Sequence, residues 1–178
     1  MSFAATRIAY QGDAVLVTIP GNGQQIAAVT FGGLPASSFL YKGAYRALAG
    51  VAYTKIPGVY NLRVKFNDAP DFVRPVTVLK KSFPVVNLPV PEKLNQTPRQ
   101  LVTSLQTVNA AIQKVTAVRT SGIYFSYGFG LPLADNSKIG SPFGEIRKTG
   151  EEIIHHYGID FSAPAGTASN PGRSVRSP

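Results

Sequence analysis

The chain has 178 residues, a formal charge of +9 and no cysteine. Disulfides, thiol catalysis and cysteine-ligated zinc are thereby excluded, and the length suits one ordinary domain or two small ones. Apolar residues make up 44% of the chain, enough for a buried core, while the positive charge favours polyanionic surroundings such as nucleic acid, anionic lipid or wall polymers.

The basic residues are scattered, with no Lys/Arg block carrying interleaved aromatics, so specific nucleic-acid binding is not expected. The start, "MSFAATRIAYQGDAVLV", lacks a basic segment followed by a long apolar run, and reads as no signal peptide. No run of about 18 apolar residues occurs, so no membrane span is expected. The chain is read as cytoplasmic, or as a piece of an exported protein whose leader is absent.

From Arg7 to Val90 the pattern is strand, turn, strand. "DAVLVTI" (Asp13–Ile19) is rich in β-branched residues and meets the turn signal "PGNG"; "QIAAVTF" (Gln25–Phe31) follows. "VYNLRVKF" (Val59–Phe66) alternates imperfectly, with Val59, Leu62, Val64 and Phe66 expected inward, and "RPVTVLKKSF" (Arg74–Phe83) reads as another strand. "YRALAGV" (Tyr45–Val51) is expected as a short helical turn or a loop across the sheet ends. Short strands between Gly/Pro turns predict a small antiparallel sandwich over residues 1–92.

The proline-rich stretch Val85–Pro98 reads as an extended linker. A helix follows within residues 93–120: Thr97 suits the N-cap, Pro98 the first helical position, and Gln100 completes a capping box. Leu101, Leu105, Val108, Ile112 and Val115 form one apolar stripe. Such a stripe is the ordinary means of docking a helix between β units; a partner-binding helix is the other reading. From Ser121 the aromatic, glycine-rich text "SGIYFSYGFGLPLADNSKIGSPFGEIR" reads as the opening of a second β domain, over 121–167, and "ASNPGRSVRSP" as a disordered tail over 168–178.

The only two histidines, His155 and His156, stand in "IIHHYGIDFSAPAGT". Gly158 argues against a helix joining His156 to Asp160. On a flat strand the two side chains would share a face about 13 Å apart, at a rise of roughly 3.3 Å per residue. One metal ion bridges them only if the chain bends, which Gly158 permits. Imidazole nitrogen and carboxylate oxygen both suit zinc, yet on spacing alone two hydrogen-bonding loop residues remain the commoner case.

The neighbouring text adds to this. Phe129, Pro132–Leu133, Ser141, Phe143, Gly144 and Arg147, His156-x-Gly158-x-Asp160, and Ala163, Gly166 and Thr167 follow in the order and spacing of the lysostaphin-type (LytM-type) zinc endopeptidases, which this region closely resembles. Those enzymes cut peptide cross-links of bacterial cell-wall peptidoglycan. Upstream, "QGDAVLVTIPG", "YRALAGV", "KIPGVYNLRV" and "VLKKSFPVVNL" resemble the immunoglobulin-like domain that precedes the catalytic domain in some of the family.

The resemblance implies a mainly β protein: an N-terminal immunoglobulin-like sandwich, one connecting helix, and an incomplete antiparallel β catalytic domain. It implies His156 and Asp160 as zinc (Zn2+) ligands, peptidoglycan as partner, and the periplasm or cell surface as the place of the full-length relative. His155 falls outside the ligand position, Arg147 is expected to brace the loop, and Tyr157 to pack. No catalytic residue is assigned and no substrate-binding residue is identified. The family's downstream His-x-His has no counterpart in these 178 residues, so the reading is of a truncated, inactive fragment. The alternatives are a non-catalytic wall-binding or hydrolase-regulating module, and an unrelated basic β protein that binds nucleic acid.

Overall fold

A computed structural model describes residues 7–21, 23–118, 132–133 and 138–169. The protein is mainly β, with one long helix. It divides into two units, Met1–Ser82 and Phe83–Pro178. Among the described residues no helix is long and apolar enough to cross a membrane.

The first unit holds strands β1 (Ile8–Tyr10), β2 (Ala14–Thr18), β3 (Ile26–Phe31), β4 (Leu34–Pro35), β5 (Ser37–Tyr41), β6 (Ala44–Gly50), β7 (Gly58–Phe66) and β8 (Phe72–Leu79). They form a five-stranded sheet, β1-β8-β7-β3-β4, and a three-stranded sheet, β2-β6-β5. Among the described residues of this unit, only β1 and β8 pair in parallel. Strands β2, β6, β7 and β8 alternate over most of their length, and the inward residues of both sheets meet in one core. Val15, Val17, Ala47 and Ala49 come from the smaller sheet, and Val29, Phe31, Leu62, Val64, Val76 and Val78 from the larger. Placing strands 2, 5 and 6 in one sheet and 3, 7 and 8 in the other is the immunoglobulin arrangement. Tyr60, near the start of β7, donates its hydroxyl to the Ile56 carbonyl at 2.7 Å, the corner contact typical of that fold. The chain has neither cysteine nor tryptophan, so aliphatic packing and Phe31 against Tyr60, with ring centroids 6.1 Å apart, take the place of a disulfide.

Three expectations are corrected here. Tyr45–Val51 lies mostly in strand β6, not a helical turn or loop. The reason is that β6 is the central strand of its sheet, paired on both sides, and Ala47, Ala49 and Val51 are buried at every second position. In β7, Val59 is 67% exposed while Leu62, Val64 and Phe66 are buried; period-two parity gives the inward place to Tyr60, which packs against the core. The strand expected over Arg74–Phe83 runs instead from Phe72 to Leu79.

The second unit holds β9 (Val85–Asn87), a short 3-10 turn (Glu92–Leu94), helix α1 (Pro98–Thr116), β10 (Lys138–Ser141), β11 (Ile146–Thr149), β12 (Glu152–His155) and β13 (Asp160–Ser162). Its two small sheets are β12-β11-β9 and β10-β13. The stretch expected as a linker therefore contains a strand. β9 runs parallel to β11, a pairing that needs a long crossover and obtains it from the segment containing α1. The contact is extended by Ile146 N–H donating to the Pro84 carbonyl and Leu88 N–H to the Lys148 carbonyl, both at 2.8 Å, and by the buried Thr149 hydroxyl donating to the Leu88 carbonyl. Within residues 121–167 the described pairings, β11–β12 and β10–β13, are antiparallel as expected.

The start of α1 is as the sequence predicts. Thr97 accepts from Gln100 N–H, the Gln100 side chain accepts from Thr97 N–H, and Pro98 opens the helix. The stripe is not buried, however. Val102 is 8% exposed, whereas Leu105 and Ile112 are exposed and Val115 is 74% exposed. The helix approaches the β11–β12 turn at its first residue, where Pro98 closes on Gly150; its C-terminal half projects apolar side chains outward. The side chain of Val108 lies outside the described residues, as do residues 119–131, 134–137 and 170–178, which include Phe129 and most of the expected tail.

The sandwich core yields a direct test of which β7 residues point inward. Leu62→Ala is expected to cost about 2–5 kcal/mol and Val59→Ala to stay within about 0.5 kcal/mol, measured by urea unfolding. Equal losses would contradict the register.

Candidate metal centre

The site grows from the β11–β12 hairpin, whose four paired positions run from Ile146 opposite His155 to Thr149 opposite Glu152. Backbone bonding continues past the strand ends. His156 N–H donates to the Glu145 carbonyl at 2.9 Å, and Gly144 N–H donates to the His156 carbonyl at 2.7 Å. Gly144 has φ +83°, and a Cβ there would stand 2.2 Å from the Phe83 ring. Only glycine satisfies both the left-handed backbone and the close aromatic ring.

These bonds put the His156 ring beside Pro142. Its Nδ1 lies 3.2 Å from the Pro142 carbonyl oxygen, which only accepts, so a ring hydrogen belongs on Nδ1, and in the neutral ring Nε2 carries the lone pair. That lone pair faces Asp160: Nε2 is 3.3 Å from Oδ1. Two lone-pair atoms so placed repel unless a cation, proton or metal ion, lies between them. Two donors each about 2.0–2.1 Å from a tetrahedral zinc ion stand about 3.3 Å apart. The residues present therefore fit two corners of a zinc site. The chain bends between them, as the spacing requires. Gly158 contributes space and not a left-handed φ, since an added Cβ would lie 3.4 Å from His156 Nε2.

Arg147 holds the other side of the carboxylate. Its Nη2 donates to Asp160 Oδ2 at 2.7 Å and its Nε to Glu145 Oε1 at 2.9 Å. Glu145 is 5% exposed, and the Asp160 side chain is 57% exposed. The guanidinium thus runs from a buried acid to a surface one and ties β11 to β13, across the two small sheets. Burial works to lower the Arg147 pKa, but the hydrogen bonds and charges of Glu145 and Asp160 outweigh it and hold the guanidinium above its ordinary value.

The sequence-identified residues separate clearly. His156 and Asp160 come together. His155 sits within β12 opposite Ile146. Tyr157 is 58% exposed, where the chain leaves the sheet after His156. Ala163, Gly166 and Thr167 lie in or beside a turn closed by the Thr167 hydroxyl on the Pro164 carbonyl. Glu145 was missed by sequence reasoning. Its signal was present in "GEIR": positions two apart on an extended strand share a face, which sets an acid beside Arg147. Among the described residues no group of three or more His, Asp or Glu side chains converges. No protein-family model matches this chain, and no curated protein matches it.

Gly144→Ala is expected to destabilise the second unit by about 1–3 kcal/mol, since the new methyl meets the Phe83 ring. Hydrogen exchange should show faster exchange at Ile146 and His156 amides and unchanged protection in β7. Unaltered protection at both places would refute the packing described.

Proposed function

We propose that the chain is part of a zinc metalloendopeptidase acting on peptide cross-links of bacterial cell-wall peptidoglycan, with His156 and Asp160 as two of the zinc ligands. The observation that carries the reading is the facing pair His156 Nε2 and Asp160 Oδ1 at 3.3 Å, with Nδ1 already turned to the Pro142 carbonyl. Histidine ligands of zinc ordinarily donate their other ring N–H in this way. The motif order from Ser141 to Thr167 supports the same reading.

The roles of the chain's own groups follow from their geometry. Pro142 fixes the His156 tautomer and ring plane. Asp160 supplies an anionic oxygen, and Arg147 takes up its second oxygen. Zinc, when bound, lowers the pKa of a coordinated water and polarises a carbonyl. A catalytic zinc ordinarily has three protein ligands; His156 and Asp160 would supply two, and His155, the other of the two histidines in these 178 residues, stands opposite Ile146 in β12. This polypeptide is therefore expected to bind zinc weakly and to leave cross-linked muropeptides uncleaved. The positive charge suits an anionic envelope, in keeping with the periplasm or cell surface.

A non-catalytic wall-binding or hydrolase-regulating module is the second reading. It is favoured by the sandwich, which has a complete core of its own and needs no metal.

Zinc titration followed by NMR tests the first reading. Addition of zinc is expected to shift His156 Nε2, and both His156→Ala and Asp160→Ala to abolish binding, while His155→Ala leaves it unchanged. Zinc binding that survives both substitutions would sink the assignment. Sedimentation with purified sacculi tests the second: the chain should co-sediment regardless of zinc.

A further inference from the structure

The carboxylate of Asp160 is divided between two neighbours. Oδ2 is held by Arg147 Nη2 at 2.7 Å, and Oδ1 faces His156 Nε2 at 3.3 Å. The guanidinium is itself anchored, because Nε is fixed at 2.9 Å by Glu145, an acid buried at 5% exposure. A free carboxylate rotates about its terminal torsion and offers either oxygen or both. Here rotation would break the arginine bond.

We propose that Arg147 is a positioning residue which restricts Asp160 to one donor oxygen and aims that oxygen at the cation site beside His156 Nε2. The inference rests on the zinc reading above and adds what sets the ligand geometry. Its consequence is selectivity. A carboxylate limited to one oxygen suits a small ion of tetrahedral preference bound also by imidazole. It disfavours calcium, which takes six to eight oxygens and often both of a carboxylate. The fork matters as well as the charge. One nitrogen of the rigid guanidinium is tethered while another reaches Asp160, which a lysine ammonium, a single rotating donor group, does not reproduce.

Arg147 also has an opposing effect, since its positive charge lies near the cation. The two effects separate by substitution. Arg147→Lys keeps the charge and loses the fork; Arg147→Gln loses both. Zinc affinity of the 178-residue chain, measured by competition with a chromophoric chelator, is expected to fall about tenfold or more in Arg147→Lys, the range typical for partners of metal ligands. It is expected to fall less in Arg147→Gln, where relief of like-charge repulsion offsets part of the loss. In metal-free protein both variants should keep the wild-type amide spectrum of the second unit and the Nδ1–H tautomer of His156, read by long-range 1H–15N NMR, because Pro142 sets that tautomer.

Wild-type zinc affinity in Arg147→Lys with a folded spectrum would overturn the proposal and leave the zinc reading standing. Collapse of the second unit's amide dispersion in both variants would also overturn it, making Arg147 a residue that holds the fold. Absence of zinc binding by the wild-type chain would overturn both.

Discussion

The candidate site depends on two backbone hydrogen bonds that carry the β11–β12 ladder beyond its strands: His156 N–H to Glu145 and Gly144 N–H to His156. They fix the His156 main chain, and so bring its ring against the Pro142 carbonyl. A carbonyl neighbour determines which ring nitrogen keeps its hydrogen, and the other nitrogen is left facing Asp160. From one turn geometry follow a tautomer, a lone-pair direction and an ion-sized gap between two donors. The turn itself stands on Gly144, where a left-handed backbone and the Phe83 ring together leave no room for a side chain.

The two units are held by different forces. The first is built on a buried aliphatic layer between two sheets, the ordinary source of stability in a sandwich. In the second, Val102 is the one buried hydrophobic residue among those described, and the other buried positions are Gly144, Glu145 and Thr149. Its small sheets are joined by hydrogen bonds and by the Glu145–Arg147–Asp160 chain of charges. A buried acid is tolerable when it is paired and hydrogen-bonded, as Glu145 is to Arg147. The buried Glu145 thus anchors the guanidinium that meets Asp160. Ile139, Ile153, Tyr157 and Ile159 stand exposed in the same unit, so the candidate site lies in a sheet region with little apolar burial.

Much of this was legible in the residues, and the failures have physical causes. The α1 cap was readable because a capping box is local chemistry: Thr97, Pro98 and Gln100 need nothing beyond their own turn. β2, β3 and β7 were readable from β-branched runs closed by Gly and Pro. β6 was not, because its buried positions are alanines, which carry helix propensity and little hydrophobic signal; its strand state comes from pairing on both edges, which no local window contains. Val59 was placed inward because it is apolar, whereas the pleat assigns faces by parity and gave the place to Tyr60. The exposed helix stripe shows the same limit: periodicity defines a face but not what lies against it. At the site, spacing required a bend and left its direction open. Only the folded chain places Nε2 against Oδ1, and only it shows Arg147 on the opposite oxygen.

In the proposed site one imidazole nitrogen and one carboxylate oxygen share a cation. Zinc-edge X-ray absorption on the zinc-loaded chain addresses it most directly. One imidazole shell is expected, with nitrogen at about 2.0–2.1 Å and oxygen ligands at about 2.0–2.2 Å, and the imidazole signal absent in His156→Ala. A spectrum of oxygen scatterers alone, identical in wild type and His156→Ala, would contradict it.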